Sequence, residues 1–475
     1  MRVLLVNPPS PERLGSPLLG LQYVAASLLA AGAEVRVIDA AARCFGEDAA
    51  GRILRETESF QPDIVGMSLF TRWVWHAYRL AEQLAGRGPW TLVAGGAHAT
   101  VRPEETLRKG FDVALCGEAE AGIVHLAAAV EGRGSLEEIP GAVFRRHDGS
   151  IGYGPCARLA SDLDALAPPH LAQPLFDPSW YGDPAAPATP GGILTSRGCP
   201  ARCTFCANYV TGRSFRYRRA EQVVREVLVW NRDYGVTFFP FWDDALSVNP
   251  RRLRELCEEF ERRLDFPFAF SAITRANMVT PDLLASMKRA GLVHVNFGVE
   301  SGDDATLAAI KKGIRTDQVV RALEWAKELG LSTACNFMLG FPGESVEALS
   351  RTLRFMERIA PLTDTFSTLG VVVPFPGTPI YEENFEKYGF TDWWLRPECA
   401  HYTPAPPIED REAFYRYYTD DANLALDFFR YSDDMRELIR ECLRYKAEHN
   451  LKAMGILPDP VFRPGSASVA ASAAR

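Results

Sequence analysis

Thr195-Ser196-Arg197-Gly198-Cys199-Pro200-Ala201-Arg202-Cys203-Thr204-Phe205-Cys206 places three cysteines in one short loop, spaced Cys-x3-Cys-x2-Cys. Thiolates are natural ligands of iron–sulfur clusters, which usually take four. Three close thiolates without an obvious fourth leave one iron of a 4Fe–4S cluster open to bind a small molecule and pass an electron to it. A structural zinc loop is the competing reading. Zinc wants four ligands in two pairs, and no matching fourth Cys or His stands nearby in the sequence.

With an aromatic residue before its last cysteine, this triad resembles the signature of radical S-adenosylmethionine (SAM) enzymes. The resemblance implies a 4Fe–4S cluster on Cys199, Cys203 and Cys206, with SAM chelated to the open iron. Reductive cleavage of SAM would give a 5′-deoxyadenosyl radical that abstracts hydrogen from a substrate. An electron donor such as flavodoxin or ferredoxin is implied as a partner, with a downstream reductase as a further one.

Outward from the loop, composition sets bounds. The chain has 475 residues, and 47% of them are hydrophobic, enough for more than one core. The net charge of −8 argues against a nucleic-acid partner. Four arginines between Arg213 and Arg219 are a local cluster only. No signal peptide and no membrane span are expected, because Val3-Leu4-Leu5-Val6 is too short for either. The remaining cysteines are scattered, as in a reduced cytoplasmic protein.

Residues 1–150 alternate strands and helices. Strands are expected at 2–7, 34–38, 64–69, 91–94 and 112–116, which implies a Rossmann-like, doubly wound parallel sheet. Ligands of such sheets bind beyond the carboxyl ends of the strands. The runs VNPP, PDIVGMS from Pro62, GGAHAT from Gly95, PEE from Pro103 and CGEAE from Cys116 resemble the cobalamin-binding domain fused to many radical SAM enzymes. Cobalamin is therefore a candidate third cofactor. The Asp-x-His-x-x-Gly loop that would supply a cobalt-binding His is absent, and His98 reads as a turn residue.

Residues 151–190 read as a Pro-rich linker laid over the surface. From 191 to 385, strands expected at 192–195, 237–241, 269–273, 293–299, 332–339 and 366–373 alternate with helices. The resemblance implies a partial (β/α)6 barrel with its chemistry at the strands' carboxyl ends. Residues 386–463 read as a small, mostly helical region covering the substrate, and 464–475 as a disordered tail. The covering region combines Trp393, Trp394, Tyr402, Phe414, Tyr415, Tyr417, Tyr418, Phe428 and Phe429 with acidic residues.

The resemblance also assigns cofactor contacts. Phe205 would support adenine, and Asp243 or Asp244 would hold the SAM ammonium. Glu300 in Gly298-Val299-Glu300-Ser301-Gly302 would accept from the ribose hydroxyls, beside Ser301. Arg275 and Arg315 would pair with the carboxylate, since a guanidinium offers a bidentate fork. The loop at Gly340 would pack beside adenine. Either Cys335 or Asn336 must face the barrel interior.

Two outcomes suit this machinery on a small-molecule substrate such as a natural product, polyol or aminosugar, both compatible with antibiotic biosynthesis. One is cobalamin-dependent C-methylation. The other is cobalamin-independent dehydration of a vicinal diol by a lyase. A non-catalytic cobalamin or SAM sensor is the alternative from a different class; it would not need the cysteine triad.

Overall fold

In a computed structural model, residues 1–10, 14–42, 48–181, 190–367, 370–397, 416 and 422–453 are described. They fall into two compact units. The first comprises Met1–Thr274, Ala285–Val293 and Pro374–Pro404; the second comprises Arg275–Leu284, His294–Val373 and Ala405–Arg475.

The first unit opens with strands β1 (Arg2–Asn7), β2 (Glu34–Asp39), β3 (Ile64–Ser68), β4 (Thr91–Gly95) and β5 (Val113–Leu115). They are joined parallel in the order β2-β1-β3-β4-β5. Their residues are almost all buried, as parallel strands covered on both faces require. Helices α1 (Leu19–Ala30), α2 (Ala49–Phe60), α3 (Val74–Leu84), α4 (Gly96–Val101), α5 (Pro103–Arg108) and α6 (Glu120–Val130) intervene. The chain runs from β1 outward to β2 and then back to β3 on the other side. That reversal opens a crevice at the carboxyl edge.

Two strands extend this sheet beyond the sequence reading. β6 (Ala142–Arg145) and β7 (Ile151–Tyr153) add an antiparallel hairpin to β5. Residues 151–153, read as the start of a linker, are thus sheet. Where the Pro-rich stretch is described it is packed, not draped. Leu163, Ala172, Phe176 and Tyr181 are buried. Gln173 accepts from Gln22 of α1 at 2.8 Å, and the Tyr181 hydroxyl donates to Asp39 at 2.8 Å.

The first unit continues with a two-stranded ribbon of β8 (Ser196–Arg197) and β9 (Arg216–Tyr217), and a parallel pair of β10 (Phe238–Phe241) and β11 (Ala269–Thr274). Between them lie α7 (Ala220–Tyr234), stopped by left-handed Gly235, and α8 (Pro250–Arg263), capped by Asn249. The strand expected at 192–195 is reduced to one bridge, Ile193 to Phe241. α9 (Pro281–Arg289) follows.

In the second unit, β12 (Leu292–Glu300), β13 (Ser332–Phe337) and β14 (Thr365–Phe366) run parallel. α10 (Asp304–Ala309), α11 (Thr316–Glu328) and α12 (Val346–Ile359) connect them. The last strand is two residues long where eight were expected, apart from a bridge between Leu339 and Val371. Cys335 is fully buried and opposes Phe297, whereas Asn336, on the opposite face, is half-buried beside Gly298. Asn336 is therefore the residue of that pair on the sheet's other face, away from the core.

Helices α13 (Pro379–Glu382) and α14 (Phe385–Tyr388) belong to the first unit. There Trp393 and Trp394 are buried. Their indoles donate to the Pro374 carbonyl at 2.9 Å and to Glu105 at 3.0 Å. They hold structure and do not form an aromatic lid. Phe428 and Phe429 are buried in the second unit. Tyr402, Phe414, Tyr415, Tyr417, Tyr418 and the tail 464–475 lie outside the described residues.

After α15 (Ala422–Leu426), α16 (Asp433–Ala453) packs on α12 and β14. Its Asn450 accepts from the Phe366 N–H at 2.8 Å and donates to the Phe366 carbonyl at 2.9 Å. The side-chain amide thus satisfies a main-chain pair of a very short strand. Asn450→Ala should cost about 1–3 kcal/mol of unfolding free energy, because both Phe366 groups lose a partner. Denaturant titration checks this, and an unchanged midpoint would show that the pairing is dispensable.

Candidate active site

The cysteine loop has little regular structure, so its shape must come from outside. Gly198 sits at φ +87°, and a Cβ there would strike the Ser214 carbonyl oxygen. Only glycine suits that turn. The Gly198 N–H donates to Asp244 at 2.8 Å, and the Cys199 N–H donates to the Gly212 carbonyl at 3.2 Å. Thr211 ties Asp244 to Asn208, at 3.0 and 2.8 Å. From the far side, the Ile380 N–H donates to the Thr204 carbonyl at 3.0 Å. That bond gives the Pro374–Tyr381 turn a mechanical role.

Cys203 is buried, Cys199 half-buried and Cys206 exposed. Phe205 is half-buried in the same loop. Among the described residues no group of three or more His, Cys, Asp or Glu is close enough to hold a metal ion without rearrangement.

The two adjacent carboxylates divide their work. Asp243 is fully buried, and burial pushes its pKa up. It accepts from the Thr195 N–H and hydroxyl at 3.2 and 2.7 Å, and from the Ser196 hydroxyl. Arg252 donates to the Thr195 hydroxyl and carbonyl, both at 2.8 Å. Asp243 therefore clamps the strand that enters the cysteine loop, and its oxygens are already engaged. Asp244 is exposed and remains the candidate of the two for an ammonium group.

A cleft with about 890 Å³ of empty space, part of it open solvent, lies where β1, β3, β4 and β5 end. Gly20, Gly66, Gly95 and Gly117 line it on the sheet side, and Leu194, Arg197, Val210 and Thr211 on the side of the cysteine loop. A Cβ on Gly20 or Gly95 would meet nothing within 4 Å. Their bare backbone thus leaves room for a bulky group against the sheet, the kind of space a corrin would need. No histidine lines the cleft. His98 is fully buried elsewhere, its nitrogens 3.0 Å from Thr71, 2.9 Å from Tyr78 and 3.1 Å from Glu105. Burial lowers its pKa against the pull of Glu105, so it is a structural histidine.

The sequence reading missed Tyr23, Arg197 and Arg216 as site residues and took Glu118 and Glu120 only as part of CGEAE; all of these but Arg216 line the cleft. Arg197 donates to Glu120 at 2.6 Å, lies 3.3 Å from Glu118, and stands 4.8 Å over the Tyr23 ring. Arg216 grips both Glu118 oxygens, at 2.9 and 2.8 Å. Burial opposes the Glu118 carboxylate, but Arg216 and Arg197 outweigh it and hold its pKa below normal.

In the second unit, Glu300 ends β12 after a bulge and has φ +74°. Its carboxylate meets Lys312 at 2.6 Å, both side chains buried. A Cβ on Gly298 would fall 2.8 Å from the Lys312 amine, so that glycine makes room for the pair. Lys312 was not singled out from sequence; its place beside Lys311 and Gly313 was the only signal. Arg275 is buried and donates to the Lys312 carbonyl. Ser301 is buried against Thr352, 3.0 Å away, and accepts from the Asp303 N–H. It shapes the loop instead of offering a hydroxyl. Arg315 is exposed and paired with Asp317 at 3.0 Å, a solvated surface pair.

Gly340 has φ +74°, and a Cβ there would fall 2.6 Å from the Tyr431 hydroxyl, which donates to its carbonyl. The Gly340 and Phe341 N–H groups donate to Glu344 at 3.0 and 3.2 Å. Burial pushes the Glu344 carboxyl up to about 7.

Two outcomes follow from this geometry. Gly198→Ala should leave the protein folded but cut bound iron by more than half after anaerobic reconstitution, since the turn before Cys199 must open; full iron loading would disprove the clamp. Glu344 titrates differently folded and unfolded. Its folded pKa is raised, so the stability it contributes is complete below about pH 4.5 and is lost as pH rises towards 7. Glu344→Gln should flatten that part of the stability profile, measured by urea unfolding between pH 5 and 8.

Comparison with known proteins bears on these features together. The Radical SAM superfamily pattern matches residues 193–356, and the B12 binding domain pattern matches residues 16–127. An uncharacterized methyltransferase of Pyrococcus horikoshii is 29% identical over 452 residues, 91% of this chain and 95% of that protein. An anaerobic magnesium-protoporphyrin IX monomethyl ester cyclase of Synechocystis is 30% identical over 350 residues, 70% and 68% of the two chains. The radical SAM methyltransferase TsrM of Kitasatospora setae, solved with cobalamin and a [4Fe-4S] cluster, superposes with a TM-score of 0.66 at 20% identity, covering 82% of this chain and 75% of that one. The likeness establishes the fold: a Rossmann-like sheet followed by a partial radical SAM barrel. The radical SAM domain implies a 4Fe–4S cluster and SAM as cofactors, and the B12 binding domain supports cobalamin. With its cysteine loop set against a glycine-lined cleft at the sheet's edge, this chain belongs to the radical SAM enzymes that carry a B12 binding domain.

Proposed function

We propose that this protein is a cobalamin-dependent radical SAM methylase of a small-molecule substrate. One observation carries the reading. The cleft at the carboxyl ends of β1, β3, β4 and β5 shares a wall with the cysteine loop, through Leu194, Arg197, Val210 and Thr211. A methyl-carrying corrin in that cleft would lie beside the site of SAM cleavage. The methyltransferase name of the Pyrococcus relative, which aligns over nearly the full length of both chains, supports the same outcome. Dehydration of a vicinal diol, the lyase outcome, would leave the cleft without a purpose.

When bound, the cluster and cobalamin supply one-electron cleavage of SAM and methyl transfer. The protein's own residues hold and orient them. Cys199, Cys203 and Cys206 provide the thiolates, and the Asp243–Thr195 and Asp244–Gly198 bonds fix their loop. Asp244 is the carboxylate assigned to the SAM ammonium, and Phe205 is assigned to adenine. Glu300 is assigned to the ribose hydroxyls as an acceptor whose position Lys312 fixes at 2.6 Å. Arg275 and the Gly340 loop complete the cofactor set.

Polyols and aminosugars are the first substrates to screen, as for antibiotic biosynthesis. The reading also calls for an electron donor such as flavodoxin or ferredoxin in a reducing cytoplasm. No helix among the described residues is long and apolar enough to cross a membrane.

Anaerobic reconstitution with iron, sulfide and hydroxocobalamin tests the proposal. About four irons with stoichiometric cobalt after desalting is the expected result. Irons without cobalt would overturn methylation in favour of dehydration or cyclisation. Glu300→Gln should weaken SAM binding tenfold or more, on the order expected for a lost charge-assisted bond; unchanged affinity by equilibrium dialysis would remove the ribose assignment.

A further inference from the structure

The cleft and the cysteine loop are joined by more than a shared wall. Glu118, on the loop that follows β5, and Glu120, the first residue of α6, line the cleft. Two arms run from them to the cysteine loop. In the first, Arg197 takes Glu120 at 2.6 Å and Glu118 at 3.3 Å, and its main chain leads directly into Gly198 and Cys199. In the second, Arg216 takes both oxygens of Glu118 and donates to the Thr211 carbonyl at 2.8 Å. The Thr211 hydroxyl then donates to Asp244, which receives the Gly198 N–H. Both arms converge on Gly198, the residue with the strained turn. All four charged side chains are at most 9% exposed, so salt does not screen them as it would a surface pair.

We infer that Arg197 is a positioning residue that couples the cleft to the cluster: a corrin seated against Glu118 and Glu120 holds Arg197 and Arg216 in place, and through them the turn at Gly198. The idea rests on the proposed function, because it needs both cofactors. By linkage, a loaded cluster then tightens cobalamin binding by the same factor that bound cobalamin favours the cluster. A bidentate guanidinium fork is suited to this role and an ammonium point charge is not.

The test uses the full-length protein, with the cluster reconstituted or stripped, and titrates hydroxocobalamin under anaerobic conditions by visible absorbance. Cluster-loaded wild type should bind hydroxocobalamin at least about fivefold more tightly than stripped protein, the lower end of typical coupling between linked sites. Arg197→Lys, which keeps the charge, should bring that ratio close to one, whatever it does to either affinity alone. Electron paramagnetic resonance of the reduced cluster should shift on cobalamin addition in wild type and not in the variant. Should Arg197→Lys fail to fold, Glu120→Gln removes the same arm from the other side and should give the same loss of ratio.

A wild-type ratio near one, or a full ratio in the folded variants, overturns the coupling while leaving the methylase reading intact. A wild-type protein that takes up iron but no hydroxocobalamin overturns both, and is told apart by the absence of any titration.

Discussion

The turn from Arg197 through Gly198 into Cys199 is the constraint on which the rest of the first unit depends. A loop bearing three thiolates eight residues end to end cannot use a helix or sheet ladder, because its side chains must all face one object. Its main chain therefore needs partners from elsewhere. Asp243 and Asp244 supply them from the end of β10, one fixing Thr195 and Ser196, the other Gly198. Burying Asp243 is costly alone, and Arg252 nearby with three donors offsets that cost. The price of a rigid entry to the cluster loop is thus met by side chains outside the cysteine triad itself.

How much of this was legible in the sequence depended on the range of the interaction. The cysteine spacing is local and read directly. The sheet strands were legible because buried parallel strands are continuous apolar runs, and the helices because they alternate with those runs. The hairpin of β6 and β7 escaped because its second strand, Ile151–Tyr153, is three residues with a central glycine. Asp243-Asp244 was found as a pair, but its roles were not, since only the fold shows that Asp243 turns back to Thr195. Arg197 meets Glu120 across 77 positions and Arg216 meets Glu118 across 98, and no spacing rule spans such distances. Arg315, by contrast, has its partner Asp317 only two positions away, a contact that local spacing does reach.

Buried ion pairs of this kind are weak evidence for stability. Desolvation consumes much of what attraction returns, and well-packed apolar residues would often serve as well. Their use here makes sense as specificity. Glu118 is shared between two guanidiniums and also accepts from the Ala160 N–H at 2.7 Å. That carboxylate therefore fixes the loop after β5, the Pro-rich segment and the cysteine loop in one register. An apolar cluster would bind the same segments without dictating which atoms meet.

The second unit solves a related problem by strain. A glutamate at φ +74° is uncommon, and such a conformation costs on the order of 1–3 kcal/mol. It persists because its surroundings over-determine it. The bulge at Gly298 re-aims the strand end, Lys312 holds the carboxylate at 2.6 Å, and Gly302 lets α12 approach closely enough that any Cβ would collide with Phe355. A strain-free extension of β12 would send the residue-300 side chain to the other face of the sheet, since each added residue reverses the direction. The bulge is thus what keeps Glu300 beside Lys312, its carboxylate fixed in place. Stability alone gives little reason to retain a strained residue and a buried ion pair together.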